Sequence, residues 1–155
     1  MKVDVCTETV IRRPVAEVAA LAGDPGRTAD WYENITSVEW ETQPPVAIGS
    51  RIAFVAHFLG RRIAYTYEVT ELVPGRRLVM RTSQGPFPME TTYTWEPAEG
   101  GTRMTLRNRG TPSGFGSIAA PIMARAMRRA NTKDLAALRT LLEDGDPERG
   151  NRSTG

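Results

Sequence analysis

The sequence specifies an α+β protein: a curved antiparallel sheet of about seven strands, two short helices after the first strand, and one long helix near the C-terminus. Three observations carry this expectation. Between residues 35 and 111 apolar and polar residues alternate in successive short runs, the period of half-buried strands. Gly and Pro punctuate those runs at spacings too short for a crossover, so neighbours in sequence become antiparallel neighbours in space. After residue 118 the composition turns to Ala, Leu, Met and Arg with apolar residues at helical spacing.

The first strand is VDVCTETVI, residues 3–11, in which Val3, Val5, Thr7, Thr9 and Ile11 share one face. Pro14 opens a short helix, PVAEVAALAG, because proline suits a first helical turn and Gly23 suits its end. Asp24-Pro25 starts a second short helical piece that runs to about Tyr32. The strands then follow as ITSVEWET, RIAFVAHFL, RIAYTYEVTEL, RLVMRTS, FPMETTYTWEP and TRMTLRNR. Turns between them fall at Pro44-Pro45 with Gly49, Leu59-Gly60-Arg61, Pro74-Gly75, Gly85-Pro86 and Gly100-Gly101. Beyond the loop GTPSGFGS, the long helix starts at IAAP, with Pro121 in or near its first turn, and ends at Gly145. Ala120, Ala124, Met127, Asn131, Leu135, Leu138 and Leu142 trace its inner stripe, widened by Met123 and Leu141. Residues 1–144 make one domain, and 145–155 a polar tail expected to be disordered.

A chain of 155 residues supports one substantial core. Its 20 basic and 18 acidic residues nearly cancel, and the arginine pairs, such as Arg12-Arg13 and Arg128-Arg129, are scattered. They read as solvated faces, and no nucleic-acid partner is expected. Cys6, a single cysteine, excludes an intramolecular disulfide and is read as a small buried or half-buried residue. The start MKVDVCTETV lacks the apolar stretch of a signal peptide, and no run approaches a membrane span. A cytoplasmic protein without stable membrane insertion is the expectation, and an exposed strand edge leaves room for a homodimer.

Strand alternation names an interior. Ile52, Phe54, Ala56 and Phe58 face inward from one strand, leaving His57 outside; Ile63, Tyr65, Tyr67 and Val69 do so from the next. Leu78, Met80 and Thr82 follow, then Phe87, Met89, Thr91, Tyr93 and Trp95, and last Met104, Leu106 and Asn108. A helix about 10–12 Å across cannot cover seven strands spaced about 4.8 Å apart. Either large side chains fill the remainder or a pocket stays open, and composition alone is compatible with both. The face is apolar, rich in rings and methionines, with a few hydroxyls and amides, as a small-molecule pocket would be.

The layout, with RRPVAEVAALAGDPGRTADWY, IGSRIAF, YEVTELVPGRRLVMRT and the closing DLAALRTLLE, resembles the START-like, birch-pollen-allergen-like superfamily. Within it, the chain is most similar to the polyketide cyclase/dehydrase and lipid-transport group, over roughly residues 2–143. The resemblance implies a helix-grip fold, the seven-stranded sheet wrapped around the C-terminal helix, with a hydrophobic cavity between them. Plant members carry a glycine-rich loop after the second strand; this chain has QPPVAIGS there, so phosphate binding is not carried over.

The site expected to hold a hydrophobic small molecule, polyketide-like or lipid-like, comprises Tyr32, Phe54, Phe58, Tyr65, Tyr67, Met80, Phe87, Met89, Tyr93, Asn108, Met123, Met127 and Asn131. Of the adjacent rings Trp31 and Tyr32, Trp31 is expected to pack down as a structural plug and Tyr32 to reach the pocket. No P-loop, nucleophile elbow or HExxH pattern occurs, and one histidine cannot build a histidine-rich metal centre. No cofactor and no catalytic residue is assigned. The strand arginines Arg81, Arg103, Arg107 and Arg109 point outward with Glu68 and Glu90, so the interior is expected to lack an acid or base. That balance favours binding and leaves a cyclase or dehydratase acting on such a ligand as the alternative.

Overall fold

The structure, a computed structural model, describes residues 2–144. The expected stop at Gly145 and the tail from 145 to 155 lie outside the described residues. The strands are β1 (Val3–Ile11), β2 (Ile35–Trp40), β3 (Arg51–Phe58), β4 (Arg61–Val73), β5 (Arg77–Gln84), β6 (Met89–Ala98) and β7 (Gly101–Gly110). They form one antiparallel sheet in the order β1-β7-β6-β5-β4-β3-β2. The meander from β2 to β7 is thus completed by the N-terminal strand at its far edge. Helix α1 (Val15–Ala22) and a 3₁₀ helix (Pro25–Asp30) follow β1, and helix α2 (Ala120–Glu143) closes the chain.

Local chemistry accounts for the ends of these elements. Pro14 is the N-cap of α1 rather than its first residue; its extended backbone leaves the carbonyl free to accept from Glu17 and Val18. The Asp24 carboxylate accepts from the Gly26 backbone N–H at 2.9 Å and so starts the 3₁₀ helix, which stops two residues short of Tyr32. Pro121 sits in the first turn of α2, where a missing N–H costs nothing. Phe87 lies before β6, which begins at Met89, a strand shorter at its start than the alternation suggests.

Arg13, expected to be a solvated residue, caps the far end of α2. Its Nε donates to the Leu142 carbonyl at 2.8 Å, while the Arg12 backbone N–H donates to Glu143 Oε2 at 2.7 Å. The end of β1 is thereby fastened to the end of the long helix.

The concave face carries the main core. Ile52, Val69, Leu78, Met104 and Leu106 from the strands are fully buried, as are Leu135 and Leu138 from α2. The convex face is polar and neutralises itself: Arg81 and Arg109 both grip Glu90, Arg107 pairs with Asp4, and Arg103 with Glu8 and Glu96. The Arg81 and Arg109 hydrogen bonds hold the Glu90 carboxyl below its ordinary range, and Arg107 does the same for Asp4. Cys6 lies on this outer side of β1 and is exposed, correcting its expected burial, because it alternates with buried Val5. Thr66 and Thr92 are buried all the same; Thr66 is closed over by its hydroxyl bond to Glu41 Oε2.

Trp31, 2% exposed, packs beneath the short helices, its ring centroid 4.5 Å from Tyr32 and 5.7 Å from Tyr93. Removing such a ring leaves a void that the sheet cannot collapse to fill. Trp31→Ala should therefore cost about 3–5 kcal/mol of unfolding free energy, measured by denaturant titration. A fully stable variant would show that the ring is not a structural plug.

Candidate functional site

A cavity of about 140 Å³ opens between the inner faces of β3 to β7 and the N-terminal half of α2. The thirteen residues named from the sequence all lie on its wall, joined by Thr28, Asn34, Ile35, Ala56, Ile63, Thr82, Pro86, Thr91, Pro112, Phe115, Ala130 and Asp134. Tyr32 is on the wall and Trp31 is not. His57 is exposed and takes no part.

The wall is built in three zones. In the middle, Phe54 stacks on Tyr65 at 5.5 Å, and the Tyr67 ring meets the edges of both. Offset and edge-on ring contacts of this kind fix the aromatic wall in place. Four methionines, Met80, Met89, Met123 and Met127, complete it with adaptable surface.

A second zone is a cage of rings in which Phe58 and Phe87, both assigned from the sequence, are joined by Phe115, which the sequence pattern did not assign. Phe115 stands 6.0 Å from Phe58 and 6.0 Å from Phe87, and the Arg61 guanidinium lies 5.4 Å over its ring. Phe115 belongs to the loop GTPSGFGS, between Gly114 and Gly116, both at positive φ. Arg61 also donates to the Ser113 carbonyl, tying that loop to the β3–β4 turn. The available signal was one aromatic residue isolated among glycines in an otherwise polar loop.

The third zone is polar. Tyr67 Oη and Thr91 Oγ1 are 2.8 Å apart, and Thr91 Oγ1 donates to Asn108 Oδ1. Since the threonine proton is committed to Asn108, the Tyr67 hydroxyl donates to Thr91 in this arrangement. Tyr32 Oη and Tyr93 Oη are hydrogen-bonded at 2.7 Å. Burial pushes all these phenols up: Tyr67 to about 12, and Tyr32, Tyr65 and Tyr93 well above the ordinary value. They remain neutral hydrogen-bonding groups across the physiological range.

Asp134 overturns the expectation that no acid or base lies inside. It is 2% exposed on α2, lines the cavity, and its Oδ1 accepts from the Glu33 backbone N–H at 3.2 Å. Burial pushes its carboxyl up to about 6, helped by the neighbouring Glu33 charge and opposed by the Glu33 N–H bond and by Lys133. The residue lies three positions after Asn131 and four before Leu138, so it falls on the same helical face as both. Position pointed to it, and its charge alone argued against it. Among the described residues no group of three or more His, Cys, Asp or Glu side chains is arranged to hold a metal ion, and no helix is long and apolar enough to cross a membrane.

Comparison with solved structures finds the same fold repeatedly. A protein from Thermus thermophilus aligns with a TM-score of 0.76 at 23% identity, covering 91% of this chain and 99% of its own. A START superfamily protein from Mycobacterium smegmatis aligns at 0.78 with 12% identity, covering 90% and 97%. The Zhui aromatase/cyclase from a Streptomyces species, strain R1128, aligns at 0.74 with 17% identity, covering 100% and 99%. These likenesses establish a helix-grip, START-like fold. No curated protein matches the sequence significantly. The model of the family described as polyketide cyclase / dehydrase and lipid transport matches residues 2–143, nearly the whole described chain, and the protein belongs to that family.

Proposed function

We propose that the protein binds a hydrophobic small molecule in the cavity between its sheet and α2. The observation that supports this reading most directly is the make-up of the wall: aromatic and methionine surface interrupted by a few inward polar groups. A cavity of 140 Å³ is close to the roughly 150 Å³ at which an apolar cavity in another protein takes up benzene. The volume therefore suits a compact ring, and a longer ligand would need the methionines or the Phe115 loop to move.

One observation favours a second reading, a cyclase or dehydratase. Such chemistry removes a proton next to a carbonyl, and a buried carboxyl with a pKa of about 6 is ionised and basic at neutral pH. The tyrosines, held neutral, would then orient and polarise the carbonyl rather than take the proton.

Solvent extraction of the purified protein followed by mass spectrometry tests the first reading. A retained apolar compound is the expected result, and a stable protein that comes out empty and binds no aromatic probe would sink it. Tyr67→Phe breaks the Tyr67–Thr91–Asn108 chain and should shift ligand affinity by about two- to tenfold. It should abolish turnover only if the second reading holds.

Asp134 supplies a test that needs no ligand. Its pKa is raised on folding, so the folded chain holds that proton more tightly than the unfolded one. The resulting stabilisation is present below about pH 4 and is lost as pH rises through about 6. Asp134→Asn keeps an acceptor for the Glu33 N–H and removes the charge. The variant should gain about 2 kcal/mol relative to wild type between pH 4 and pH 8 in denaturant titrations. A difference independent of pH would show that Asp134 is not a buried titrating acid.

A further inference from the structure

Among the described residues three buried side-chain nitrogens lack a hydrogen-bond partner: Trp31 Nε1, Trp95 Nε1 and Asn131 Nδ2. Neither tryptophan lines the cavity, whereas Asn131 does. It is 5% exposed and lies in the inner stripe of α2 between Met127 and Leu135, where leucine would fit without a polar group to satisfy. An orphaned donor in such a place costs stability. That penalty disappears when something entering the cavity accepts from it.

The surroundings narrow what that acceptor is. Asp134, one helical turn on, already has one oxygen engaged by the Glu33 N–H and would repel an anionic ligand once ionised. The Tyr32–Tyr93 pair uses one of its two hydroxyl protons internally and keeps the other. The Tyr67–Thr91–Asn108 chain bonds within itself. This part of the wall therefore offers an unmatched N–H and a spare O–H beside a carboxyl, a setting for a neutral oxygen acceptor. The remainder is aromatic, methionine and aliphatic surface around a volume the size of one ring.

Resting on the ligand-binding reading, we propose that the cavity takes a neutral aromatic carbonyl compound whose oxygen is received by Asn131 Nδ2 and whose ring lies against Phe54 and Tyr65. The ligand carbonyl supplies the acceptor that this donor lacks, and the ring leaves water as it enters the cavity.

The test compares two probes of nearly the same shape, acetophenone and α-methylstyrene, which differ by a carbonyl oxygen in place of a methylene. Their affinities are measured by equilibrium dialysis or ligand-observed NMR on the full chain, as wild type and as Asn131→Leu. Because the two probes differ in their own hydration, the change in their affinity ratio between proteins is the readout. The ketone-to-hydrocarbon ratio should fall about tenfold in the Leu variant, the size of one buried hydrogen bond, with hydrocarbon affinity kept or raised. Asn131→Met serves the same purpose should the Leu variant fold poorly. If wild type holds both probes and the ratio does not move, the carbonyl assignment is wrong while ligand binding stands. If wild type holds neither probe, the ligand-binding reading fails as well.

Discussion

A single helix must cover the concave face of seven strands, and only one half of it does so completely. The C-terminal half of α2 drives Leu135 and Leu138 into a core shared with Val69, Leu78 and Leu106, all essentially buried. Arg13 and the Arg12 backbone hold its last turn against the end of β1. The N-terminal half, carrying Met123 and Met127, belongs to a smaller cluster with Val3 and Val5 and leaves the cavity beside it. Width decides this: a helix is about a third as wide as a flat seven-stranded sheet, so curvature can close the gap at one end and not at both.

The polar groups on the cavity wall divide in the same way. Tyr67, Thr91 and Asn108 satisfy one another, and Tyr32 and Tyr93 meet at their hydroxyls. These internal bonds keep most of the buried polar surface stable and rigid, with one hydroxyl proton of the Tyr32–Tyr93 pair left over. Asn131 and Asp134 break the pattern: one has an unmatched donor, the other a carboxyl whose charge is unfavourable to bury. Both sit on one face of α2, where the rest of the stripe is aliphatic. Departures from local rules are expected where a site is functional or strained, and these two fall together on one cavity wall.

The outer face shows the opposite arrangement. Its arginines are paired with Glu90, Asp4, Glu8 and Glu96, leaving the sheet's convex side close to neutral. Exposed pairs of this kind add little stability individually. Their effect is to keep every strand charge outside, so that the interior polarity comes almost wholly from hydroxyls, amides and the one helix carboxyl.

Period and punctuation were enough to order the elements and to sort strand residues by face, because a strand alternates strictly and antiparallel neighbours follow from short turns. That is why Phe54, Tyr65, Tyr67, Met80, Met89, Tyr93 and Asn108 could be assigned to one wall from the chain alone, whereas the separation of Trp31 from Tyr32 came from the family resemblance. Whether that wall enclosed a solid core or a space was open at that level, since the same residues serve either. Assembly settled it, and added what no local pattern carries. Phe115 reaches the wall because Arg61 holds its loop across the β3–β4 turn. Arg13 becomes a helix cap through a residue more than a hundred positions away. Cys6 is exposed and Asp134 buried, each against its own polarity. Polarity predicts where a side chain would rather be, while burial is set by what the far ends of the chain bring against it.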